Sequence, residues 1–137
     1  MRVIIIGGVA GGMSAATRLR RLDESAEIIV LEKSGHVSYA NCGLPYYVGG
    51  VIENEKDLLL QTPASLHARF RLDVRVSTEV LAINPSKKVV AIKNLITGET
   101  SEMDYDKLIL SPGASPVVPP IPGIERGMTL RTVEDVE

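Results

Sequence analysis

The sequence predicts an α/β domain built on a parallel sheet, and three observations carry this. A short β-branched run, Val3-Ile4-Ile5-Ile6, opens the chain and ends in glycines. A helical pattern follows at once. A second apolar run, Glu27-Ile28-Ile29-Val30-Leu31, comes next and closes on the acid Glu32. Continuous apolar runs of this length read as strands covered on both faces, and two of them joined by a helix make a parallel β-α-β unit.

Each element is read in turn. Gly7-Gly8-Val9-Ala10-Gly11-Gly12 forms the turn after the first strand. From Met13 to Leu22 the spacing is helical, with Ala15, Leu19 and Leu22 on one face and Ser14, Arg18 and Arg21 on another. A short helix is expected near Asn41 or Cys42, because Pro45 suits a first turn. Thr62-Pro63 starts a further helix that runs to about Leu72, capped by Thr62. Val74 to Tyr105 reads as short strands, with turns at Asn84-Pro85 and Thr97-Gly98. Lys107 to Leu110 is expected as one more buried strand, running into the small-residue turn Ser111-Pro112-Gly113-Ala114. Four prolines from Pro116 to Pro122 forbid a helix, so an extended linker is expected there. Thr132-Val133-Glu134-Asp135 has the pattern of a helix cap. A helix beginning so close to Glu137 suggests the front piece of a longer polypeptide.

The 137 residues suffice for one domain with a core. Apolar residues make up 45 % and the formal charge is −2, an ordinary globular balance with no basic stripe for nucleic acid. One cysteine excludes an internal disulfide framework and suits a reducing cytoplasm. No run is long enough to span a bilayer. His36 and His67 lack metal-ligand spacing, so no metal site is expected.

Two features point to chemistry. Backbone N–H groups at a helix start bind a pyrophosphate, provided the neighbouring side chains are small. Gly7, Gly11 and Gly12 meet that need, although Val9 interrupts the strict glycine pattern. Glu32, about twenty residues on, is placed to accept from ribose hydroxyls. Together these favour dinucleotide binding over a turn that merely packs a helix on a strand. The second feature is Cys42, flanked by polar Asn41 and small Gly43, which leaves room for a flat ring or a substrate. Thiols at helix starts are favoured as thiolates, the nucleophilic form. An isolated cysteine is equally often an inert small hydrophobe, and the local residues leave both readings open.

The turn at Gly7 to Gly12, Glu32-Lys33, Ser38-Tyr39-Ala40-Asn41-Cys42-Gly43-Leu44-Pro45-Tyr46 and Leu108-Ile109-Leu110-Ser111-Pro112-Gly113-Ala114 together resemble the single-cysteine flavoprotein disulfide reductases. This group includes coenzyme A-disulfide reductases, coenzyme A persulfide reductases, NADH oxidases and NADH peroxidases. The resemblance covers the whole chain, and its Cys42 segment is the most specific part. Tyr39 departs mildly from the family's Ser-Phe-x-x-Cys pattern. The resemblance implies an incomplete Rossmann-like FAD-binding domain, a parallel sheet with helices plus a small antiparallel meander. Residues 1–115 would be its N-terminal part, and 116–137 would lead to an NAD(P)H-binding domain beyond this chain. It further implies FAD on Gly7, Gly8, Val9, Ala10, Gly11, Gly12, Glu32, Lys33, Asn41, Val80, Ser111, Pro112 and Gly113. Coenzyme A would lie along Ser14, Arg18, Arg21, Ser38 and Asn41. Cys42 would exchange with a disulfide or persulfide of coenzyme A, with NAD(P)H as electron donor, in a homodimer. Ala10 stands where the oxidase and peroxidase branches usually have a histidine, which favours a reductase over an oxidase working through a Cys42 sulfenate. The reading from another class is a small nucleotide-binding module in which Cys42 is structural.

Overall fold

The structure, a computed structural model, describes residues 1–136. Its centre is a four-stranded parallel sheet of order β3-β2-β1-β7, built from β1 (Arg2–Ile6), β2 (Glu27–Leu31), β3 (Asp73–Arg75) and β7 (Lys107–Leu110). The two apolar runs occupy its middle. Ile4, Ile5, Ile28, Ile29 and Val30 are all fully buried, as strands covered on both faces must be. On one face lies α1 (Ala10–Leu22), with α3 (Pro63–Phe70) beside it, packing Met13, Ala16 and Leu66 on Val3, Ile5, Ile28 and Val30. On the other lies an antiparallel meander of β4 (Thr78–Asn84), β5 (Val89–Asn94) and β6 (Thr100–Asp104), which packs Val90 and Ile92 on Ile4, Ile29 and Leu31. A third cluster, of Tyr39, Leu44, Leu58 and Val133, gathers the loop after β2 with the C-terminal end of the chain.

Helix α3 is laid out as its residues demand. Thr62 Oγ1 accepts from the Ser65 N–H at 3.1 Å while Ser65 Oγ accepts from the Thr62 N–H at 2.9 Å, with Pro63 in the first turn. The helix ends at Phe70 rather than Leu72, because Arg71 turns left-handed with φ 50°. Leu72 is then freed to bury itself completely.

The structure corrects four expectations. Helix α1 begins at Ala10, not Met13, so Ala10, Gly11 and Gly12 form its first turn instead of a loop. Its core face is Gly12, Met13, Ala16 and Arg20, and Leu22 is exposed. Ala15 and Leu19 do pack against the core from the side. Strand β7 is an edge: it pairs with β1 on one side, and Leu110 is 59 % exposed. Gly43 is buried, and a side chain there would crowd Leu58 and Ile52, so its smallness serves packing rather than an approaching ring.

Arg20 is the unexpected member of the core. Its guanidinium donates to the carbonyls of Phe70 (2.8 Å), Arg71 (3.1 Å), Asp23 (3.2 Å) and Glu24 (2.8 Å). The cation thus ties together the C-terminal ends of α1 and α3, where free carbonyls collect and the helix dipole is negative.

Candidate functional site

A cleft of about 810 Å³ opens at the carboxyl ends of the parallel strands. This is where open α/β sheets place their ligands. Its floor comes from the β1–α1 turn and the residues after β7: Gly7, Val9, Ala10 and Gly11 face Ser111, Pro112 and Gly113. Glu32, Lys33 and Ser34 form one side. The C-terminal strap, Arg131, Thr132, Glu134 and Asp135, forms another, with Tyr39 and Asn41 between.

The glycines of the turn do different work. Gly7 has φ 98°, and a Cβ there would overlap the Ser111 carbonyl. A Cβ on Gly12 would overlap the Gly7 carbonyl, so strand and helix can approach only as glycines. Gly8 is buried under Val37 and Glu32. Gly11 differs: a Cβ would meet nothing nearer than Ser111 Oγ at 3.4 Å, an ordinary contact. Nothing among the described residues demands glycine there. Its side chain would instead project among cleft-lining atoms, where a ligand needs the room.

Val9 occupies the N-cap of α1, and no side chain caps the helix; no acid lies in its first turn. The first N–H groups are therefore left for an external acceptor, and the macrodipole favours an anion. Val9 itself packs against the third core cluster, which explains how a non-glycine fits there.

Glu32 does more than the sequence suggested. Oε2 accepts from the Gly8 N–H at 2.7 Å, and Oε1 accepts from the Ser34 N–H and hydroxyl at 2.8 and 2.9 Å. The carboxylate braces the glycine turn against the loop after β2. Oε2, with a single donor, keeps a second lone-pair direction for a ribose hydroxyl, whereas both directions of Oε1 are taken by Ser34. Lys33 pairs with Glu79 at 2.7 Å.

Cys42 is exposed and sits in a single 3₁₀ turn, Asn41–Gly43, followed by the five-residue helix α2 (Leu44–Val48). It does not line the cleft, but its neighbour Asn41 does. Ser38 holds the approach to this turn: it takes φ 50° and donates its N–H to the Gly8 carbonyl at 2.9 Å, tethering the cysteine loop to the glycine turn. Ser14, Arg18 and Arg21 form an exposed stripe along α1, outside the cleft. Val80 stands apart from the cleft lining and is half-buried against the core between the two sheets. Among the described residues, no group of three or more His, Cys, Asp and Glu could hold a metal ion.

Sequence reasoning missed the C-terminal strap. Arg131 Nε donates to the Ala114 carbonyl at 2.9 Å, and its guanidinium lies against Gly113, which adds a cation to the cleft lining. Asp135 accepts from the N–H groups of Arg131 and Thr132 at 2.6 and 2.8 Å, which holds its carboxyl below the ordinary range. Glu134 accepts from the Gly35 N–H at 2.7 Å; burial opposes its ionisation, yet these backbone donors keep its carboxyl below the ordinary range too. Val133 between them is fully buried beside Tyr39. The only signal for this strap was the cap pattern at Thr132 to Asp135, and a cap pattern alone does not say what it packs on.

The residues present fit a dinucleotide. The cleft offers an uncapped helix start, a glycine with no structural need for its smallness, an acid for a ribose and a cation in its lining. A family model described as pyridine nucleotide-disulphide oxidoreductase matches residues 1–137. A coenzyme A disulfide reductase of Staphylococcus epidermidis is 46 % identical over 114 residues, covering 83 % of this chain and 26 % of the relative. The solved structure of reduced Bacillus anthracis CoADR-RHD is 54 % identical with a TM-score of 0.94, over 98 % of this chain and 25 % of that one. An NAD-dependent persulfide reductase from A. fulgidus is 39 % identical with a TM-score of 0.91, over 99 % of this chain and 26 % of that one. The chain thus spans about a quarter of the length of the relatives it matches. The fold agrees with these matches, and the chain belongs to the pyridine nucleotide-disulphide oxidoreductase family.

Proposed function

We propose that this chain is the FAD-contacting quarter of an NAD(P)H-dependent reductase that opens coenzyme A disulfides or persulfides through Cys42. One observation carries the reading: an exposed lone thiol stands next to a residue that lines the dinucleotide cleft, on a loop tied to the glycine turn by Ser38. A cysteine placed to pack a core would be buried, so the structural-cysteine reading has no support here.

The cofactor would be held by the α1 N-terminus, Glu32 and the turn at Ser111 to Gly113, with Lys33 and Asn41 at the margins. When bound, the flavin supplies the electron pair that returns a disulfide at Cys42 to two thiolates. The chain's own part begins with Cys42. Its thiolate attacks one sulfur of an external disulfide, a bond forms between Cys42 Sγ and that sulfur, and the other sulfur leaves as a thiolate. One protein cysteine suffices because the second sulfur arrives with the substrate. Arg18 and Arg21, one helical turn apart with Ser14, are suited to the phosphates of coenzyme A. Residues 116–137 would lead towards the nicotinamide nucleotide domain.

The test is Cys42→Ser in the full-length protein, read by visible spectrum and by NAD(P)H oxidation with coenzyme A disulfide. The variant is expected to keep its flavin and lose disulfide turnover. Retained turnover removes Cys42 from the reaction, and a colourless wild-type protein that takes up no FAD removes the flavin reading. Supplying NADH and air alone checks the oxidase alternative. Little turnover is expected, since Ala10 brings no proton-transfer group to the cleft.

A further inference from the structure

Tyr39 is 6 % exposed, yet its hydroxyl has no hydrogen-bond partner among the described residues. Its companions in the core, Leu44, Leu58 and Val133, offer no polar side-chain atom. The hydroxyl is not sealed in, because no described side-chain polar atom is both fully enclosed and unpaired. The residue lines the cleft. The charges that act on it, from Glu32, Arg131, Glu134 and Asp135, belong to cleft-lining residues as well.

The side chain has little freedom to turn elsewhere. Ser38, just before it, is locked at φ 50° and bonded to Gly8. Tyr39 itself forms a β-bridge with Leu59, and the next N–H, of Ala40, donates to the Leu58 carbonyl at 2.9 Å. Burial, and then the Glu32 carboxylate, raise the phenol above its ordinary range and keep it a donor. A donor held this firmly at the cleft, with no acceptor among the described residues, is placed to bond a ligand that displaces solvent there.

We propose that the Tyr39 hydroxyl donates a hydrogen bond to the ribose–pyrophosphate half of the dinucleotide bound in this cleft. The inference rests on the dinucleotide reading above and extends it to a residue that would otherwise count only as core. The α1 start would gather phosphate, and Tyr39 lines the same cleft, within reach of the charge on Arg131.

The test uses the full-length protein, stripped of flavin, and its Tyr39→Phe variant. Apoprotein stability is expected to stay the same or rise slightly, since no internal bond is lost. FAD affinity, read by flavin fluorescence on reconstitution, is expected to fall about tenfold. ADP, which carries ribose and pyrophosphate without a flavin, should weaken by a similar factor. Equal FAD affinity in variant and wild type overturns the proposal. A loss for FAD with none for ADP overturns the assignment to the ribose–pyrophosphate half. A destabilised apoprotein overturns the premise that the hydroxyl has no internal partner. Wild-type protein that binds neither probe overturns the dinucleotide reading itself, and so is told apart from a failure of Tyr39 alone.

Discussion

The carboxylate of Glu32 and the backbone N–H of Gly8 are joined by a 2.7 Å hydrogen bond across the mouth of the β1–α1 turn. The same carboxylate holds Ser34 through two more. Glu32→Gln is therefore not a conservative change. Both oxygens face N–H or O–H donors, so whichever end the amide NH₂ takes meets a donor. The variant apoprotein is expected to lose about 1–3 kcal/mol in urea unfolding, as unpaired donors cost. A change within a few tenths of a kcal/mol would show that the brace is dispensable.

Gly11 and Gly12 should behave oppositely on replacement by alanine. At Gly12 the new methyl meets the Gly7 carbonyl, backbone against backbone, with nothing able to yield. That protein is expected to fold poorly. At Gly11 the methyl meets only ordinary contacts with Ser111, and alanine has the higher helix propensity. The Gly11→Ala apoprotein should be as stable as the wild type or more so, yet bind FAD more weakly. Unaltered FAD affinity would mean that the cofactor does not approach the helix there.

Arg20→Met tests the buried clamp. It removes the guanidinium from the carbonyls of Phe70, Arg71 and Asp23, in a site only 8 % exposed, while the Glu24 carbonyl keeps Arg71 Nη2 as a donor at 3.1 Å. About 2–4 kcal/mol of stability should be lost. Flavin content per folded molecule should not change, because Arg20 lies away from the cleft lining. Thermal melts and absorbance ratios measure the two separately.

The exposed stripe on α1 makes a different prediction. Arg18→Ala with Arg21→Ala should leave the melting temperature nearly unaltered, since surface substitutions of this kind stay within about 0.5 kcal/mol. KM for coenzyme A disulfide should rise about tenfold, while a small disulfide without phosphate is unaffected. Equal losses for both substrates would count against phosphate recognition here.

Acid should loosen the strap first. Asp135 has its carboxyl lowered by the N–H groups of Thr132 and Arg131. A lowered folded-state pKa contributes stability above the unfolded value and loses it as pH falls through the folded one. Hydrogen exchange of the Arg131 and Thr132 amides should thus accelerate below the ordinary carboxylate range, while the β1 and β2 amides stay protected. In Asp135→Asn the exchange should be fast at neutral pH too. Loss of strap and sheet protection together would refute a local release.

Much of this architecture was legible from single residues. The runs at Val3 and Glu27 had to be central strands, because nothing else buries four or five successive apolar side chains. Thr62, Pro63 and Ser65 announced α3 through local bonds alone. What escaped reading depended on partners distant in the chain. Nothing near Arg20 distinguishes it from exposed Arg18 and Arg21; only the carbonyls at Phe70 and Arg71 make it a core residue. Gly43 looked permissive to a ligand because Leu58 and Ile52, its real neighbours, lie outside any local window. Arg131 escaped for the same reason, since its acceptor at Ala114 is across a proline-rich stretch. The apolar letters of β7 gave no hint that one of its flanks is bare.

Val133 has one further implication. Its isopropyl group shares one buried cluster with the phenol at position 39 and with Leu44, the residue that follows the thiol-bearing turn. The segment that walls the nucleotide cavity and the hairpin of chain that presents sulfur therefore share a single fastener. Trimming it to alanine should slacken both at once, so that flavin leakage and thiol accessibility increase in step rather than one without the other.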